Sequence, residues 1–351
     1  MSEYISRYDF REQIEGVRKV QPNPTLFRQT FFRGPEFYSA TENIEWDEIR
    51  EGAPMAKYIH PRIPAAPTER QGFKTTELTT PFIQEARIIT GDNLLRRQFN
   101  ENIYQLVSPA ERAQQLRNGD FAHCLNAIDN RIEQQCWQMM LEGRVEIRNE
   151  EGTVDAFVEF EGARPPITLT GGNRWGQVGV STHDTLIEMF NHLADDDYIS
   201  RIAIMGEGAY RCIQNDPDIL KKMDLLRAQF GEIRPEPQLS PTSLIYKLAL
   251  LDPAIEIYVY RAKYTDPITK LSRRILPDNM VLMYAPEATE NRMMFGAVTI
   301  IDDNNQWVRV EGRYVPERRI IKDPPTERLQ VTSRPLPTPR YNASWQVAYV
   351  Y

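Results

Sequence analysis

Between Ala113 and Met140, apolar residues return mostly at steps of three and four: Ala113, Leu116, Cys124, Ile128, Ile132, Cys136, Met139 and Met140. That period puts them on one stripe of an α-helix. Ser108-Pro109-Ala110-Glu111 supplies a start: Ser as N-cap, Pro at the first helical position, and Glu placed to reach back to the Ser108 amide. Gly143 supplies a left-handed stop. The pattern predicts one helix over about 109–142, roughly 50 Å long at 1.5 Å per residue. Gly119 is its weak point, costing ~1 kcal/mol relative to Ala.

Upstream the pattern is less regular. Residues 1–45 carry Pro22, Pro24, Gly34 and Pro35, yet also Leu26, Phe27, Phe31, Phe32, Phe37 and Tyr38. They read as an arm whose aromatics pack either against another chain or into this chain's own core. Stretches 54–64 and 72–89 are strand-like and flank Ala65–Gln71 as a hairpin tip. Such a hairpin has little core of its own and needs something to dock on.

Downstream, strands are expected at 144–147, 154–160 and 167–169, followed by the Gly-rich turn 170–176. A helix is expected at 184–193, a short buried strand at 202–205, an amphipathic helix at 217–230, and a helix from Ser240-Pro241 to about Leu251. Stretches 255–264 and 279–284 suggest a long hairpin, 293–301 and 307–315 further strands, and 345–351 an alternating terminal strand. The order is mixed α+β, without the regular alternation of a doubly wound sheet.

Composition narrows the function. The chain has 351 residues, 41% of them hydrophobic, enough for a sizeable core. A net charge of −7 argues against a dedicated nucleic-acid binder. Three cysteines and an N-terminus without an apolar leader suggest a reducing cytoplasm and free thiols. No apolar run approaches the ~18 residues of a membrane span. Of 25 prolines, one cluster is Pro61, Pro64 and Pro67 and another runs from Pro316 to Pro339, both expected to be extended and loop-like. A subunit reaching over its neighbours spends chain this way more readily than a compact enzyme does.

Candidate chemistry is sparse. Ile202–Tyr210 reads as a strand, a glycine turn and a helix, but Arg211 stands where a dinucleotide fingerprint needs its third glycine, and no P-loop Lys-Ser/Thr follows. Asp195-Asp196-Asp197 reads better as an exposed loop than as a cation site. His60, His123, His183 and His192 have no zinc-like spacing with the cysteines, and no nucleophile elbow is present. No catalytic, cofactor-binding or metal-ligating residue is assigned. Arg7, Arg11, Arg18, Lys19, Arg28 and Arg33 are interleaved with acids, which suits a solvated or protein-facing surface and at most sparse, sequence-independent DNA contact.

Several stretches, in order, resemble the major capsid protein E family of lambda-like phages: Thr30-Phe31-Phe32-Arg33, Pro54–Pro61, Thr170-Gly171-Gly172-Asn173-Arg174-Trp175, and Leu276–Leu282 with its Leu-Pro-Asp-Asn start. The resemblance implies a Hong Kong 97-like α+β fold with no catalytic site and no cofactor. Its parts would be an N-terminal arm (1–45), an extended E-loop hairpin (46–90), a peripheral domain with the spine helix (91–180 and 322–351) and an axial domain (181–321). It implies a virion shell subunit that assembles with itself as hexamers and pentamers in the host bacterial cytoplasm around double-stranded DNA. Scaffolding, decoration and portal proteins are the further partners it suggests, and no membrane is involved. Phe31, Phe32, Arg33, Tyr58, His60, Arg62, Arg70 and Phe73 are the expected intersubunit contacts. The competing expectations are another phage structural protein, of tail or connector, and an enzyme with a nucleotide site at Gly206–Gly208.

Overall fold

The long helix forms as the sequence predicts, as α3 (Pro109–Glu142) in the computed structural model. Ser108 Oγ accepts the Glu111 N–H at 3.2 Å while Glu111 Oε2 accepts the Ser108 N–H at 3.0 Å. Gly143 ends the helix at φ 68°. The structure describes residues 25–48, 74–95, 108–149, 153–160, 163–217, 219, 236–240, 243–250, 255–265, 271–301 and 306–351.

Before α3 come α1 (Leu26–Phe31), β1 (Phe37–Tyr38), β2 (Asn43–Glu48), β3 (Lys74–Thr79), β4 (Ile83–Thr90) and α2 (Gly91–Leu95). After it come β5 (Arg144–Arg148), β6 (Val154–Glu159), β7 (Ile167–Thr168), α4 (Thr182–Ala194), β8 (Ile202–Met205) and α5 (Glu207–Gln214). Then follow β9 (Glu236–Ser240), β10 (Ser243–Leu250), β11 (Ile255–Val259), β12 (Lys263–Thr265), β13 (Ser272–Arg274) and β14 (Met280–Tyr284). The chain goes on through β15 (Arg292–Phe295), β16 (Val298–Ile301), β17 (Trp307–Val310), β18 (Val315–Lys322), β19 (Pro325–Ser333), β20 (Pro335–Thr338) and β21 (Trp345–Tyr349).

The organising element is a seven-stranded sheet in the order β7-β21-β14-β8-β11-β10-β9. Its central strands are covered on both faces, and β14 shows how. Met280, Leu282 and Tyr284 join a core with Cys136, Met139 and Met140 of α3 and Phe27 and Phe31 of α1. Val281 and Met283 join a second core with Leu186, Met189 and Leu193 of α4 and Ile213 of α5. Strict alternation thus sorts one strand's side chains into two layers. The C-terminal half of α3 lies on this core, whereas Ala113 and Leu116 near its start are only half-buried and Gly119 is exposed. A second sheet, β18-β19-β4, packs on α3, tied by Arg117 to Glu327 at 3.2 Å. A third, β1-β15-β20, meets α3 through β20.

Several expectations are corrected. Within the expected helix from Ser240 to about Leu251, the described residues are strand instead: Ser240 ends β9 and Ser243–Leu250 is β10, where pairing with β9 and β11 overrides local preference. Stretches 255–264 and 279–284 are not one hairpin, because β8 lies between β11 and β14. The run 72–89 breaks at Thr80–Phe82, so β3 pairs with β2 while β4 pairs with β19. The proline-rich 316–339 stretch is largely strand. In β20, Pro335 and Pro337 sit two apart on a sheet edge, where both lost donors face away from β15. The seven-stranded sheet draws strands from distant parts of the chain, β7 and β21 among them, and β18 runs from Val315 to Lys322. The expected helix at 217–230 lies outside the described residues apart from 217 and 219.

Candidate assembly surfaces

Arg28 and the two preceding residues show how the arm is rooted. The α1 N-cap, Thr25, makes no side-chain cap. Instead Glu133, on the buried face of α3, turns one carboxylate oxygen to the Phe27 N–H at 2.8 Å and the other to the Arg28 N–H at 2.9 Å. The spine helix thereby caps the arm helix, satisfying donors that every helix start leaves open. Burial lifts Glu133 to about 7, against the opposing pull of those two bonds and of Arg28. One turn away, Asp129 accepts from Arg28 at 3.1 Å, from Arg313 at 2.6 Å and from the Tyr314 hydroxyl.

The arm's aromatics follow from this anchoring. Phe27 and Phe31 are fully buried, Phe31 edge-on to Tyr284 at 4.7 Å, and Phe32 is buried too. The expectation that Phe31 and Phe32 meet a neighbouring chain is therefore corrected; they complete this chain's own core. Arg33, at the end of α1, is exposed, donates to the Gln29 carbonyl at 3.0 Å and makes no ion pair among the described residues. Tyr58, His60, Arg62, Arg70 and Phe73 lie outside the described residues.

The expected E-loop has a described base. β2 and β3 pair antiparallel from Asn43↔Thr79 to Glu48↔Lys74. Asn43 donates to Glu77 at 2.6 Å, and Thr80 Oγ1 donates to the Glu42 carbonyl at 2.8 Å. Beside this base, Phe37, Tyr38 and Phe82 stay exposed, Tyr38 stacked on Phe295 at 5.4 Å and Phe82 under the Arg334 guanidinium at 5.3 Å. An apolar rim of this kind suits a protein contact.

The glycine turn after β8 serves packing. A Cβ on Gly206 would lie 2.2 Å from the Pro277 carbonyl oxygen, and one on Gly208 would meet the Tyr351 hydroxyl. The Leu-Pro-Asp-Asn stretch runs against this turn: Gly206 N–H donates to Met280 O, Ala209 N–H to Asp278 O, and the Asn279 side chain to Tyr351 O. Glu207 faces the guanidinium groups of Arg274, Arg211 and Arg261, and the hydrogen bond from Arg274 leads in holding it down to about 2. The Gly-Gly-x-x-Trp turn is likewise structural: the Trp175 N–H donates to Val350 O at 2.8 Å and its indole to Thr185 at 3.1 Å. Asp195 to Asp197 are exposed, and Asp196 pairs with Arg164. Cys124 and Cys136 are buried thiols, both pushed up by burial. Among the described residues, no group of three or more His, Cys, Asp or Glu side chains is placed to hold a metal ion, and no helix is long and apolar enough to cross a membrane.

Sequence reasoning missed Glu133, although its place one turn from Cys136 and Asp129 on the apolar stripe was a usable signal. It also missed the three-stranded sheets, whose pairings join distant segments.

Comparison with known proteins agrees with this architecture. The profile of the family described as phage major capsid protein E matches residues 9–348. The major capsid protein of Escherichia phage lambda is 23% identical over 316 residues, covering 89% of each chain, and that of Escherichia phage N15 is 22% identical with the same coverage. Among solved structures, a capsid protein assigned to a prophage of E. coli CFT073 is similar with a TM-score of 0.59, at 18% identity over 94% of this chain and 93% of the other. The capsid asymmetric unit of cyanophage A-1(L) is similar with a TM-score of 0.50, at 11% identity over 97% and 96%.

Proposed function

The chain belongs to the phage major capsid protein E family and has the Hong Kong 97-like fold, and from that premise we propose that it builds the icosahedral head shell of a tailed phage as hexamers and pentamers. The shell would form in the host cytoplasm and enclose double-stranded DNA. The observation that carries this reading is the arrangement of the arm and the hairpin base. Each is anchored firmly at its root, by Glu133 for the arm and by the β2–β3 ladder for the hairpin. Each root lies beside exposed aromatic or cationic side chains suited to another protein surface: Phe37, Tyr38, Phe82 and Arg33.

Residues 49–73 would then extend over a neighbouring copy, with Tyr58, His60, Arg62, Arg70 and Phe73 making the contact alongside Arg33. Shells of this kind gain stability by repetition, so each contact can be modest while the closed assembly is strong. A scaffolding protein, a decoration protein, the portal and sparse contact with packaged DNA complete the set of partners. The chain's role in this reading is structural rather than catalytic.

The test uses the register. Glu48 faces Lys74 across the ladder, so replacing residues 49–73 by an Asn-Gly turn closes a two-residue hairpin without disturbing β2, β3 or β4. The expected product is a folded subunit with native circular dichroism that forms no shells in electron microscopy. Normal shells from this variant would overturn the assignment of 49–73 as the bridging loop.

A further inference from the structure

Among the described residues, the ribbon formed by β16 and β17 pairs with no third strand. An isolated two-stranded ribbon is marginal in water unless something covers it. Ile301 and Trp307 are register partners and therefore share one face. Trp307 is 75% exposed, an unusual position for the side chain most enriched in the centres of protein interfaces.

A receptor of matching character exists elsewhere on the chain. Between α1 and the seven-stranded sheet lies an open pocket of about 290 Å³, walled by Leu26, Ile202, Ile204, Tyr258 and Tyr284, with Arg33 also lining it. The wall also includes Tyr260, whose buried hydroxyl has no hydrogen-bond partner among the described residues. The size suits a single large aromatic side chain. The electrostatics are complementary as well: a cation over an indole face is favourable, and an indole N–H needs an acceptor such as a phenolic oxygen. In sequence, Asp302 and Asp303 directly follow Ile301 and are opposite in charge to Arg33.

We propose that Trp307 of one copy inserts into the pocket at the arm root of a neighbouring copy. The proposal rests on the shell reading above, which supplies the neighbouring copy that the contact requires. A contact of this head-to-tail kind closes into rings when the rotation between copies is fixed. It would also couple the arm root to the neighbour, since α1 supplies one wall of the socket.

The test places one cysteine beside the knob and one beside the socket. Ile301→Cys and Thr30→Cys together leave Trp307 in place. Shells of this double variant should give a ladder of covalent multimers on mild oxidation, and either single variant should not. Adding Trp307→Ala should abolish the ladder and raise the concentration needed for shell formation by about tenfold or more, with Trp307→Phe retaining most of the effect. A second reading needs no cysteine: the fluorescence lost in Trp307→Phe should be quenched by iodide in dissociated subunits and shielded in unmodified shells. Shells that form without the ladder, or in which Trp307 stays open to iodide, overturn the proposal and leave the shell function standing. Failure of the unmodified chain to form shells at all would instead remove the reading on which it rests.

Discussion

Gly206 and Gly208 are two residues apart in one turn, yet a methyl group should cost very different amounts at each. At Gly206 the added Cβ meets backbone, the Pro277 carbonyl oxygen at 2.2 Å and Asp278 Cα at 2.7 Å, which cannot move without shifting the start of β14. At Gly208 it meets chiefly the tip of Tyr351, an exposed side chain that can swing away, and its one backbone contact, the Asp278 carbonyl oxygen at 3.0 Å, has only a few tenths of an ångström to yield. Gly206→Ala is expected to destabilise by about 3 kcal/mol, the upper end for overpacking, and Gly208→Ala by under about 1 kcal/mol, as read by chemical denaturation. Glu133 offers a pH-dependent counterpart. Its folded value of about 7 lies above its ordinary 4.5, so the folded chain holds this proton more tightly than the unfolded one. Its contribution is therefore fully present below about 4.5 and is lost as pH rises to about 7. Glu133→Gln removes that titration, so the difference in melting temperature between parent and variant should itself change with pH between about 4.5 and 7. It should also cost about 1–3 kcal/mol, because an amide N–H then opposes one of the two α1 donors.

The spine helix was legible from the sequence because its signals are local: a capping box, a three-and-four apolar repeat and a terminal glycine within one stretch. The short elements β5, β6, β8, α4 and β21 were legible for the same reason, each carrying its own periodicity. What could not be read was pairing. Nothing near Pro325–Ser333 announces that its partner is Ile83–Thr90, and proline content there points toward loop until the sheet edge at β20 is known. The candidate contacts divide similarly: Phe31 and Phe32 looked the same as arm residues or as core residues, because an apolar side chain does not say whose core it fills. Within α3, Gly119 is exposed and a Cβ there would meet nothing within 4 Å. Gly119→Ala should thus raise stability by up to about 1 kcal/mol through helix propensity alone, a gain visible as a higher thermal midpoint.

At the scale of the whole molecule, the sheets are built from segments far apart in the chain. β1 pairs with β15, β4 with β19, and β21 with β7. Each such pairing must close a long loop before any contact repays the entropy lost, which makes the topology slow to form. Refolding by rapid dilution from denaturant, followed by intrinsic fluorescence, should accordingly take seconds or longer, with the signal of β21's Trp345 among the late changes. The polypeptide thus carries its own metering device. Competent building blocks become available no faster than distant strands find one another, which favours enlarging a few particles over starting many at once.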